Sequence, residues 1–356
     1  MLTILFSYGK PGAEGRIWER EIAQASTPSV RFVPFNHRAA LENLTYQSAL
    51  QLDADYRASS MKLMRLYRDL DAAISRSGAQ VLFVTNDQPY HPDFLLKLRI
   101  YRAYQTTDDP GATYSRTIPY VHAFHHMFHC ALPYSPEKTL REKLLECGAR
   151  QVGFLPLGAF DFEMDPAQTD DSILSRPRDI DFIYVGNPFF AQKFEGFLKL
   201  TRAFGSRFKI FGFWKAKHSA YLSVHARQRI WVRPVSLEER VRLYQRAKIG
   251  FNIHWDAWGL GNQRLYHLPA NGVMQICDST EHLGAIFEKG REVVPAGSFD
   301  EMVELGRRYI SHDEERRAIA LEGFRRVQRE YRIRAVLQRL ADDLSRGMAA
   351  TQFENT

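Results

Sequence analysis

The chain has 356 residues, of which 45% are hydrophobic and 25% are charged. These values are typical of folded globular proteins and exclude disordered, collagen-like and coiled-coil classes, and the length predicts two domains. Lys and Arg number 48 against 41 Asp and Glu, so the formal net charge is +7. This excess favours an anionic partner, which could be nucleic acid, a membrane surface or a small phosphate compound.

The cysteines indicate the compartment. Cys130, Cys147 and Cys277 are odd in number, lie far apart and form no CxxC pair. This excludes a disulfide framework or a Cys-rich zinc module and favours a reducing cytoplasm. The N-terminal apolar run lacks the basic region and cleavage site of a signal peptide, and no apolar stretch approaches the length of a membrane span. We therefore expect a cytoplasmic protein that meets a membrane at most peripherally.

The first half of the chain alternates short apolar runs with amphipathic ones. The pattern predicts strands over 2–8, 30–35, 81–85, 101–107 and 152–155, with helices over 16–24 and 52–74. Such alternation indicates βαβ units and a parallel sheet.

A polar segment over 161–179 then interrupts the periodicity. It is rich in Asp and contains two prolines, which predicts a linker. Beyond it the alternation resumes, with strands expected over 180–185, 208–211, 230–232, 249–253 and 273–277, helices over 190–204 and 237–246, and helical structure from 299 to 346. We therefore expect an N-terminal domain over 1–165, a second α/β domain over 179–330, and a C-terminal helix over 331–356 that could pack back on the first domain.

The positive charge is concentrated in one segment. Residues 191–250 contain fourteen Lys and Arg but three acids, an excess of eleven. A solvated basic face and a nucleotide-binding or polyphosphate-binding lobe both fit this pattern. No helix-turn-helix, RNP or zinc pattern accompanies it, so nucleic acid is not an expected partner.

Two strand ends in the second half carry candidate phosphate-binding residues. The predicted strand 180–185 is followed by Gly186, Asn187 and, in the next helix, Lys193. Ligands of parallel sheets sit beyond the carboxyl ends of strands, where a helix N-terminus and a lysine can meet a phosphate. After the strand 249–253, Gly261 and Asn262 open a helix that carries Arg264 and, one turn later, His267. A tight turn with a surface lysine, and an arginine in an ordinary salt bridge, are the plain alternatives.

In the first half, Asp108 and Asp109 follow a predicted strand and precede Pro110 and Gly111. Asp-Pro-Gly is good turn chemistry, and the spacing by itself favours a turn. A general base facing a cleft is the functional alternative.

Four histidines crowd the segment 122–129, namely His122, His125, His126 and His129. On a helix they would form i,i+4 pairs suited to zinc, but the glutamate of an HExxH motif is missing. The apolar residues between them favour a strand, which sends the imidazoles to opposite faces. We therefore expect no metal site here; a packed aromatic strand is favoured, and a cleft-lining edge with one functional histidine is the alternative.

Several of these motifs occur together and in order. They are Asp108-Asp109-Pro110, the segment 148–158, Tyr184-Val-Gly186-Asn187, Asn262-x-Arg264-Leu-Tyr266, Ala270-x-Gly272, the segment 287–294 and His312-Asp-Glu-Glu-Arg316. The ordered set, over about residues 78–335, resembles the CgeB-type (spore-maturation-like) glycosyltransferases of the GT-B fold. The resemblance implies an α/β protein with two Rossmann-like domains that face each other across a cleft, the second of which holds a nucleotide-sugar donor.

The resemblance also implies roles for individual residues. Gly186 and Lys193 look like donor-phosphate elements, although Asn187 stands where related enzymes usually have arginine. Gly261, Asn262 and Arg264 match the start of the family's donor helix. Two glutamates of that helix in many GT-B enzymes are replaced here by Gly259 and His267, and imidazole can still bond a hydroxyl or a phosphate. Trp214, Arg233 and Val235 fall where such proteins place base-contacting loops.

The implied function is metal-independent, hexosyltransferase-type transfer of a sugar from a UDP-, dTDP- or GDP-sugar, with no other cofactor. An inverting enzyme would use Asp109 or Asp108 as the base, with His122 behind, whereas a retaining enzyme needs no base at that place. The acceptor (a glycan, a peptide or a small molecule) and the oligomeric state stay open. The alternative is a GT-B-fold protein that binds a nucleotide or glycan without catalysis.

Overall fold

The chain divides into two units. The computed structural model describes residues 1–46, 48–85, 89–135, 137–187, 191–254, 261–278 and 282–354. Unit 1 contains Met1–Leu157 together with Ile333–Thr356, and unit 2 is Gly158–Arg332. The C-terminal segment thus belongs to the same unit as the N-terminal half of the chain.

A six-stranded parallel sheet forms the centre of unit 1, in the order β2-β1-β3-β4-β5-β8. A short antiparallel pair, β6 and β7, lies outside it. The strands are β1 Leu2–Tyr8, β2 Val30–Asn36, β3 Val81–Val84, β4 Tyr101–Thr106, β5 His126–His129, β6 Pro133–Ser135, β7 Lys138–Thr139 and β8 Gln151–Phe154. The central strand β3 is apolar and completely buried throughout, as expected where both faces of a parallel sheet are covered.

The helices of unit 1 follow the predicted alternation with one difference. They are α1 Gly12–Gln24, α2 His37–Ala40, α3 Ala49–Arg57, α4 Met61–Ser77, α5 Pro92–Leu95 and α6 Leu140–Glu146. The single long helix expected over 52–74 is wrong, because the chain breaks between α3 and α4, where Ser59 takes a left-handed φ of 51°. Gly78 ends α4 in the left-handed conformation that favours glycine.

Unit 2 is built on a second, five-stranded parallel sheet in the order β10-β9-β11-β12-β13. Its strands are β9 Ile180–Val185, β10 Phe208–Phe211, β11 Ala247–Asn252, β12 Met274–Cys277 and β13 Val294–Pro295. The strand expected over 230–232 is absent from this described segment. There the hydroxyl of Ser223 bonds both the N–H and the carbonyl of Ile230, each at 3.0 Å, so these groups are not free to join the sheet.

The remaining helices are α7 Asp170–Ser175, α8 Ala191–Phe204, α9 Ala216–Ala226, α10 Leu237–Arg246, α11 Arg264–Ala270, α12 Phe299–Ser311, α13 Asp313–Arg326 and α14 Ile333–Glu354. The segment 161–179, predicted to be a linker, belongs to unit 2 and carries α7. Its acids hold it there: Asp161 pairs with Arg332, and Asp170 pairs with Arg325, both at 2.7 Å.

The last helix, α14, packs within unit 1. Gln338 donates to the carbonyl of Ala25 at 2.7 Å, and Gln151 donates to the carbonyl of Gly347 at 3.2 Å. Leu340 and Leu344 are completely buried. Among the described residues, no helix combines the length and the apolar character that a membrane span needs.

Candidate functional site

The strand order of unit 2 reverses direction between β9 and β11, since β10 lies on one side of β9 and β11 on the other. Ligands of open parallel sheets bind beyond the carboxyl ends of the strands at such a switch point. Gly186 follows β9 and His254 follows β11. We call the carboxyl ends of β9, β11 and β12, with the residues that follow them, the unit 2 edge.

Arg264 connects the two strands of this switch point. Its Nη1 donates to the carbonyl of Val185 at 3.2 Å, and its Nη2 donates to the carbonyl of Ile253 at 2.9 Å. The guanidinium carbon lies 4.4 Å from the ring centroid of Tyr184. None of these three partners is a carboxylate, and Nε has no partner among the described residues. The arginine therefore presents positive charge that an anionic ligand could balance.

Gly186 makes room for this arginine. A Cβ built on Gly186 would lie 2.3 Å from Arg264 Nη1, which is far inside van der Waals contact. Gly212, which follows β10, has a φ of 149°, and a Cβ there would lie 2.1 Å from the Gly186 carbonyl oxygen. The two glycines let two backbone turns and one guanidinium share a small volume.

Polar contacts fix the turn after β9. Trp214 Nε1 donates to the Gly186 carbonyl, and Asn187 Oδ1 accepts from the Phe213 N–H, both at 2.9 Å. The N–H of Gly212 donates to the Arg233 carbonyl at 2.9 Å. The structure thus brings together Gly186, Asn187, Trp214 and the Arg233 backbone, four of the sequence-predicted donor residues. The amide of Asn187 serves the turn itself.

The Arg233 side chain points to other partners, since it pairs with Glu239 through two contacts, one of them at 3.0 Å. Val235 is partly buried and packs against a small apolar cluster that includes Tyr244.

A buried amide network anchors the beginning of α11 to the sheet. Asn262 Nδ2 donates to Asn252 Oδ1, and Asn252 Nδ2 donates to Gln275 Oε1, both at 2.9 Å. Asn262 Oδ1 accepts from the Leu265 N–H at 3.2 Å. Asn262 therefore has a clear positioning function next to Arg264. Gly261 directly precedes it, while Gly259 lies outside the described residues.

Sequence reasoning did not single out His254 and Asp278, which follow the adjacent strands β11 and β12. His254 Nδ1 lies 2.6 Å from Asp278 Oδ1, and the His254 N–H donates to Asp278 Oδ2 at 2.8 Å. The imidazole is buried, and its Nε2 has no partner among the described residues. One signal could have found the pair: Asn252 and Cys277 are opposite each other in the sheet, so the residues just beyond them meet.

His267 and Lys193 are both buried. His267 Nε2 lies 2.8 Å from Glu163 Oε2, and Arg240 Nη2 donates to Glu163 Oε1 at 2.8 Å. Burial alone would raise the pKa of Glu163, but its contacts with His267 and the charge of Arg240 hold that pKa at about 2, while burial lowers the pKa of His267 itself. The imidazole predicted to bind the donor is thus engaged by an interior carboxylate in this structure. Lys193 lies in the first turn of α8.

The positive charge of the segment 191–250 is partly balanced in the folded structure. Acids from elsewhere in unit 2 neutralise several of its cations. The pairs are Lys199 with Asp300, Arg207 and Lys248 with Asp181, Arg240 with Glu163, and Arg246 with Asp179. Ion pairs within unit 2 therefore neutralise part of the excess, and Arg264 lies outside this segment.

In unit 1, Asp109 occupies a buried position beyond the carboxyl end of β4 and is 3% exposed. Its Oδ1 accepts from Thr117 Oγ1 at 3.0 Å, while Oδ2 has no partner among the described residues. Burial raises the pKa of Asp109 to about 6, although the hydroxyls of Thr106, Thr117 and Thr113 act in the opposite direction. A carboxylate that titrates near neutrality and has one free oxygen can act as a general base.

The other two predicted catalytic residues are exposed. Asp108 forms an ion pair with Arg116 at 2.7 Å. His122 lies in a 3-10 turn, Ile118–Ala123, and its side chain faces solvent. The predicted histidine strand is correct only for His126–His129, because Pro119 opens the preceding segment as a helical turn.

The four histidines do not form a metal-type cluster in the structure. Among the described residues, the one group of three His, Cys, Asp or Glu ligand atoms that all approach one another is that of His254, Cys277 and Asp278. The short His254–Asp278 distance is that of a hydrogen bond, and Cys277 Sγ lies 4.0 Å from His254 Nδ1. A hydrogen-bonded dyad therefore accounts for this geometry better than a metal site does.

Unit 1 also has an open cavity of about 400 Å³ beside α3 and α4. The rings of Tyr56 and His91 stack along it with centroids 3.9 Å apart. His91 Nε2 lies 3.2 Å from Asp53 Oδ1, and Arg57 Nε donates to the same oxygen at 3.2 Å. Aromatic and carboxylate groups of this kind suit a polyhydroxylated ligand.

Comparisons with known proteins concern the fold and part of unit 2. Residues 193–342 match a family model described as "Glycosyl transferase-like". No curated protein matches the chain. Among solved structures, the complex of HepE from Anabaena with UDP and glucose aligns with a TM-score of 0.61 at 12% identity, covering 97% of this chain and 100% of that one. The chain has the GT-B fold.

Two further structures share the fold. Sucrose-phosphate synthase from Thermosynechococcus elongatus aligns with a TM-score of 0.57 at 10% identity, covering 98% of this chain and 100% of that one. The UDP-GlcNAc 2-epimerase from Neisseria meningitidis, bound to UDP-GlcNAc, aligns with a TM-score of 0.54 at 11% identity, covering 97% and 100%. The α/β prediction with two Rossmann-like domains is thus confirmed, and the fold alone does not separate transferases from epimerases.

Proposed function

We propose that this chain is a glycosyltransferase that takes a sugar from a nucleotide-diphosphate sugar, UDP-linked in the first instance, and transfers it to an acceptor hydroxyl. The observation that carries the proposal is Arg264. Its guanidinium is held at the switch point of unit 2 by the carbonyls of Val185 and Ile253, with no carboxylate among the partners described above. The "Glycosyl transferase-like" match over 193–342 covers this residue.

Arg264 supplies the chemistry that the leaving group needs. Breaking the bond between the sugar and the diphosphate develops negative charge on the phosphate oxygens, and a fixed cation stabilises that charge without reorganising. Because Gly186 has no side chain, and Trp214 holds its turn in place, the guanidinium can lie directly against the end of β9. In this proposal the arginine takes the role that a metal ion plays in other sugar transferases, so transfer is metal-independent.

Asp109 is the proposed base of an inverting reaction. Its free Oδ2 accepts the proton of the acceptor hydroxyl as that oxygen attacks the anomeric carbon, and the nucleoside diphosphate leaves with the bonding electrons. A pKa raised by burial to about 6 makes this carboxylate a stronger base than an ordinary aspartate while it stays ionised at neutral pH. The cavity lined by Tyr56 and His91 supports an acceptor site in unit 1.

The ordered motifs and the cysteines support a family and a compartment. The ordered motifs from Asp108 to Arg316 support a CgeB-type, hexosyltransferase-type enzyme. No disulfide joins the three cysteines, all of which lie among the described residues, and this supports a reducing, cytoplasmic compartment.

Calorimetric titration with UDP, dTDP and GDP tests the donor site. We expect wild-type protein to bind one of them, and Arg264→Ala to weaken that binding by at least about tenfold, because a charge-assisted contact is lost. Arg246→Ala is the matched control, since Arg246 is exposed and pairs with Asp179. Absence of nucleotide binding to wild type would refute the proposal, and loss of transfer in EDTA would refute metal independence.

The second candidate is a nucleotide-binding or glycan-binding protein without catalysis. It is favoured by His267, which stands at a family glutamate position and is engaged by Glu163. Mass spectrometry of the products from a UDP-sugar and an acceptor panel separates the candidates. Transfer or donor hydrolysis that disappears in Asp109→Asn eliminates the binding-only function, whereas an epimerised sugar would identify an epimerase.

A further inference from the structure

Three buried polar atoms at the unit 2 edge lack a hydrogen-bond partner among the described residues. They are His254 Nε2, Arg264 Nε and Tyr184 Oη. The three residues are neighbours: Arg264 lies over the Tyr184 ring and bonds the carbonyl of Ile253, which directly precedes His254. Unsatisfied buried polar atoms are rare in folded proteins, and each requires an explanation. A group of them at a switch point indicates a place where a polar ligand completes the hydrogen bonds.

Asp278 fixes the chemistry of His254. Nδ1 lies 2.6 Å from Oδ1, and the His254 backbone N–H donates to Oδ2. The carboxylate therefore accepts hydrogen bonds from both the ring N–H and the backbone N–H. A neutral imidazole that donates from Nδ1 has an acceptor lone pair at Nε2. In this neutral form Nε2 accepts a hydrogen bond, which an ionised phosphate oxygen cannot donate. Hydroxyl groups can, and they occur on both sides of the diphosphate in a nucleotide sugar.

We propose that His254, oriented by Asp278, is a donor-binding residue whose Nε2 accepts a hydrogen bond from a hydroxyl of the nucleotide sugar, next to the diphosphate bound by Arg264. The proposal rests on the proposed function and extends its site to a residue pair that no sequence motif indicated. The hydroxyl belongs either to the ribose or to the transferred sugar. A ribose contact would be detected with UDP and with a UDP-sugar, whereas a sugar contact would be detected only with the UDP-sugar. Asp278 is a positioning residue, because it acts through the imidazole. Because Nε2 is buried, only a ligand bound at the unit 2 edge can contact it.

Two conservative variants separate a ligand contact from a structural contact. The side-chain amide of Asn reaches about as far as Nδ1, so His254→Asn can keep the bond to Asp278 but cannot replace Nε2. The amide of Gln reaches about as far as Nε2, so His254→Gln can keep the ligand contact but loses Asp278. A purely structural dyad predicts that Asn is tolerated better than Gln, and a ligand contact predicts the reverse for binding.

The experiment is calorimetry of wild type, His254→Asn, His254→Gln and Asp278→Asn with UDP and UDP-glucose, with thermal unfolding of each variant to show that it is folded. We expect His254→Asn to weaken binding by about 10- to 30-fold, which is the loss of one buried hydrogen bond to a ligand, and His254→Gln to recover most of it. Equal weakening for both ligands assigns the hydroxyl to the ribose. Weakening for UDP-glucose alone assigns it to the sugar. Asp278→Asn should give an intermediate loss.

Long-range ¹H–¹⁵N spectra of the histidine rings give a readout independent of activity. Wild type should show His254 protonated at Nδ1, with an Nε2 resonance that shifts on addition of the ligand. If wild type binds nucleotide but His254→Asn binds as tightly and the Nε2 resonance does not move, the inference is wrong and the proposed function stands. If wild type binds neither ligand, the proposed function itself fails.

Discussion

Two buried carboxylates show how differently the two units use the same chemical group. Asp109 in unit 1 is 3% exposed, and Glu163 in unit 2 is 4% exposed. Burial raises the pKa of both, but Glu163 contacts the imidazole of His267 and the guanidinium of Arg240, which bring its pKa down to about 2, even though burial lowers the pKa of His267 itself. Asp109 has threonine hydroxyls for neighbours, and its pKa stays raised at about 6. The neighbouring groups, and not the degree of burial, therefore make Glu163 a structural carboxylate and allow Asp109 to act as a base.

The sharpest test of this comparison is Asp109→Asn. Removing the general base should lower kcat by about 10²- to 10⁴-fold while donor affinity changes little. In wild type, kcat/KM should fall as the pH drops below about 6, because the protonated carboxyl cannot accept a proton. Steady-state kinetics from pH 5 to 8 on both proteins checks this. A variant that keeps full activity would show that Asp109 is not the base, as expected for a retaining enzyme.

Glu163→Gln should act on stability and not on chemistry. It leaves the half-buried Arg240 without its anion and the buried His267 without its hydrogen-bond partner, and removing one member of a buried pair costs about 3–5 kcal/mol. The folded pKa of about 2 lies below the usual 4.5, so the stabilisation is present above pH 4.5 and is lost as the pH falls towards 2. Urea unfolding at pH 7 and pH 3 measures both effects.

Glu239→Gln is the matched control for this change, because Glu239 pairs with Arg233 at the surface. Its effect on unfolding should be close to zero. If the two variants lose the same stability, the distinction between the interior cluster and a surface pair disappears.

Asp109 should have the opposite influence on stability. Its folded pKa of about 6 lies above the usual 3.8, so its contribution is fully present below pH 3.8 and is lost as the pH rises through 6. The shift corresponds to a loss on the order of 2–3 kcal/mol in wild type. Asp109→Asn cannot ionise and should lack this component, which urea unfolding of both proteins at pH 4 and 8 would reveal. Parallel pH profiles for the two proteins would contradict the raised pKa.

The two histidine–carboxylate pairs of unit 2 show how far sequence reasoning reached. The alternation of apolar runs predicted both parallel sheets, and the glycine at 186 and the arginine at 264 were correctly assigned to strand ends. The resemblance to GT-B enzymes predicts that His267 binds the donor, because it replaces a glutamate of their donor helix. Its imidazole instead contacts Glu163, a residue 104 positions away in the chain. His254 carries no motif, and its relation to Asp278 depends on the pairing of β11 with β12. Periodicity reports which face of an element is buried, but not which distant carboxylate a buried side chain meets.

The smallest expected effect comes from Asp108→Asn. This variant tests whether burial of the side chain, or only its place in the Asp-Asp-Pro motif, determines which aspartate acts as the base. Asp108 shares the Asp-Asp-Pro motif with Asp109, but it is exposed and pairs with Arg116. Solvent screens such a pair, so we expect kcat to change by less than about threefold and stability to stay the same. Arg116→Ala should behave alike, since it removes the other half of the pair. If Asp108→Asn instead abolishes transfer while Asp109→Asn does not, the exposed carboxylate is the base, and the buried one is the structural member of the motif.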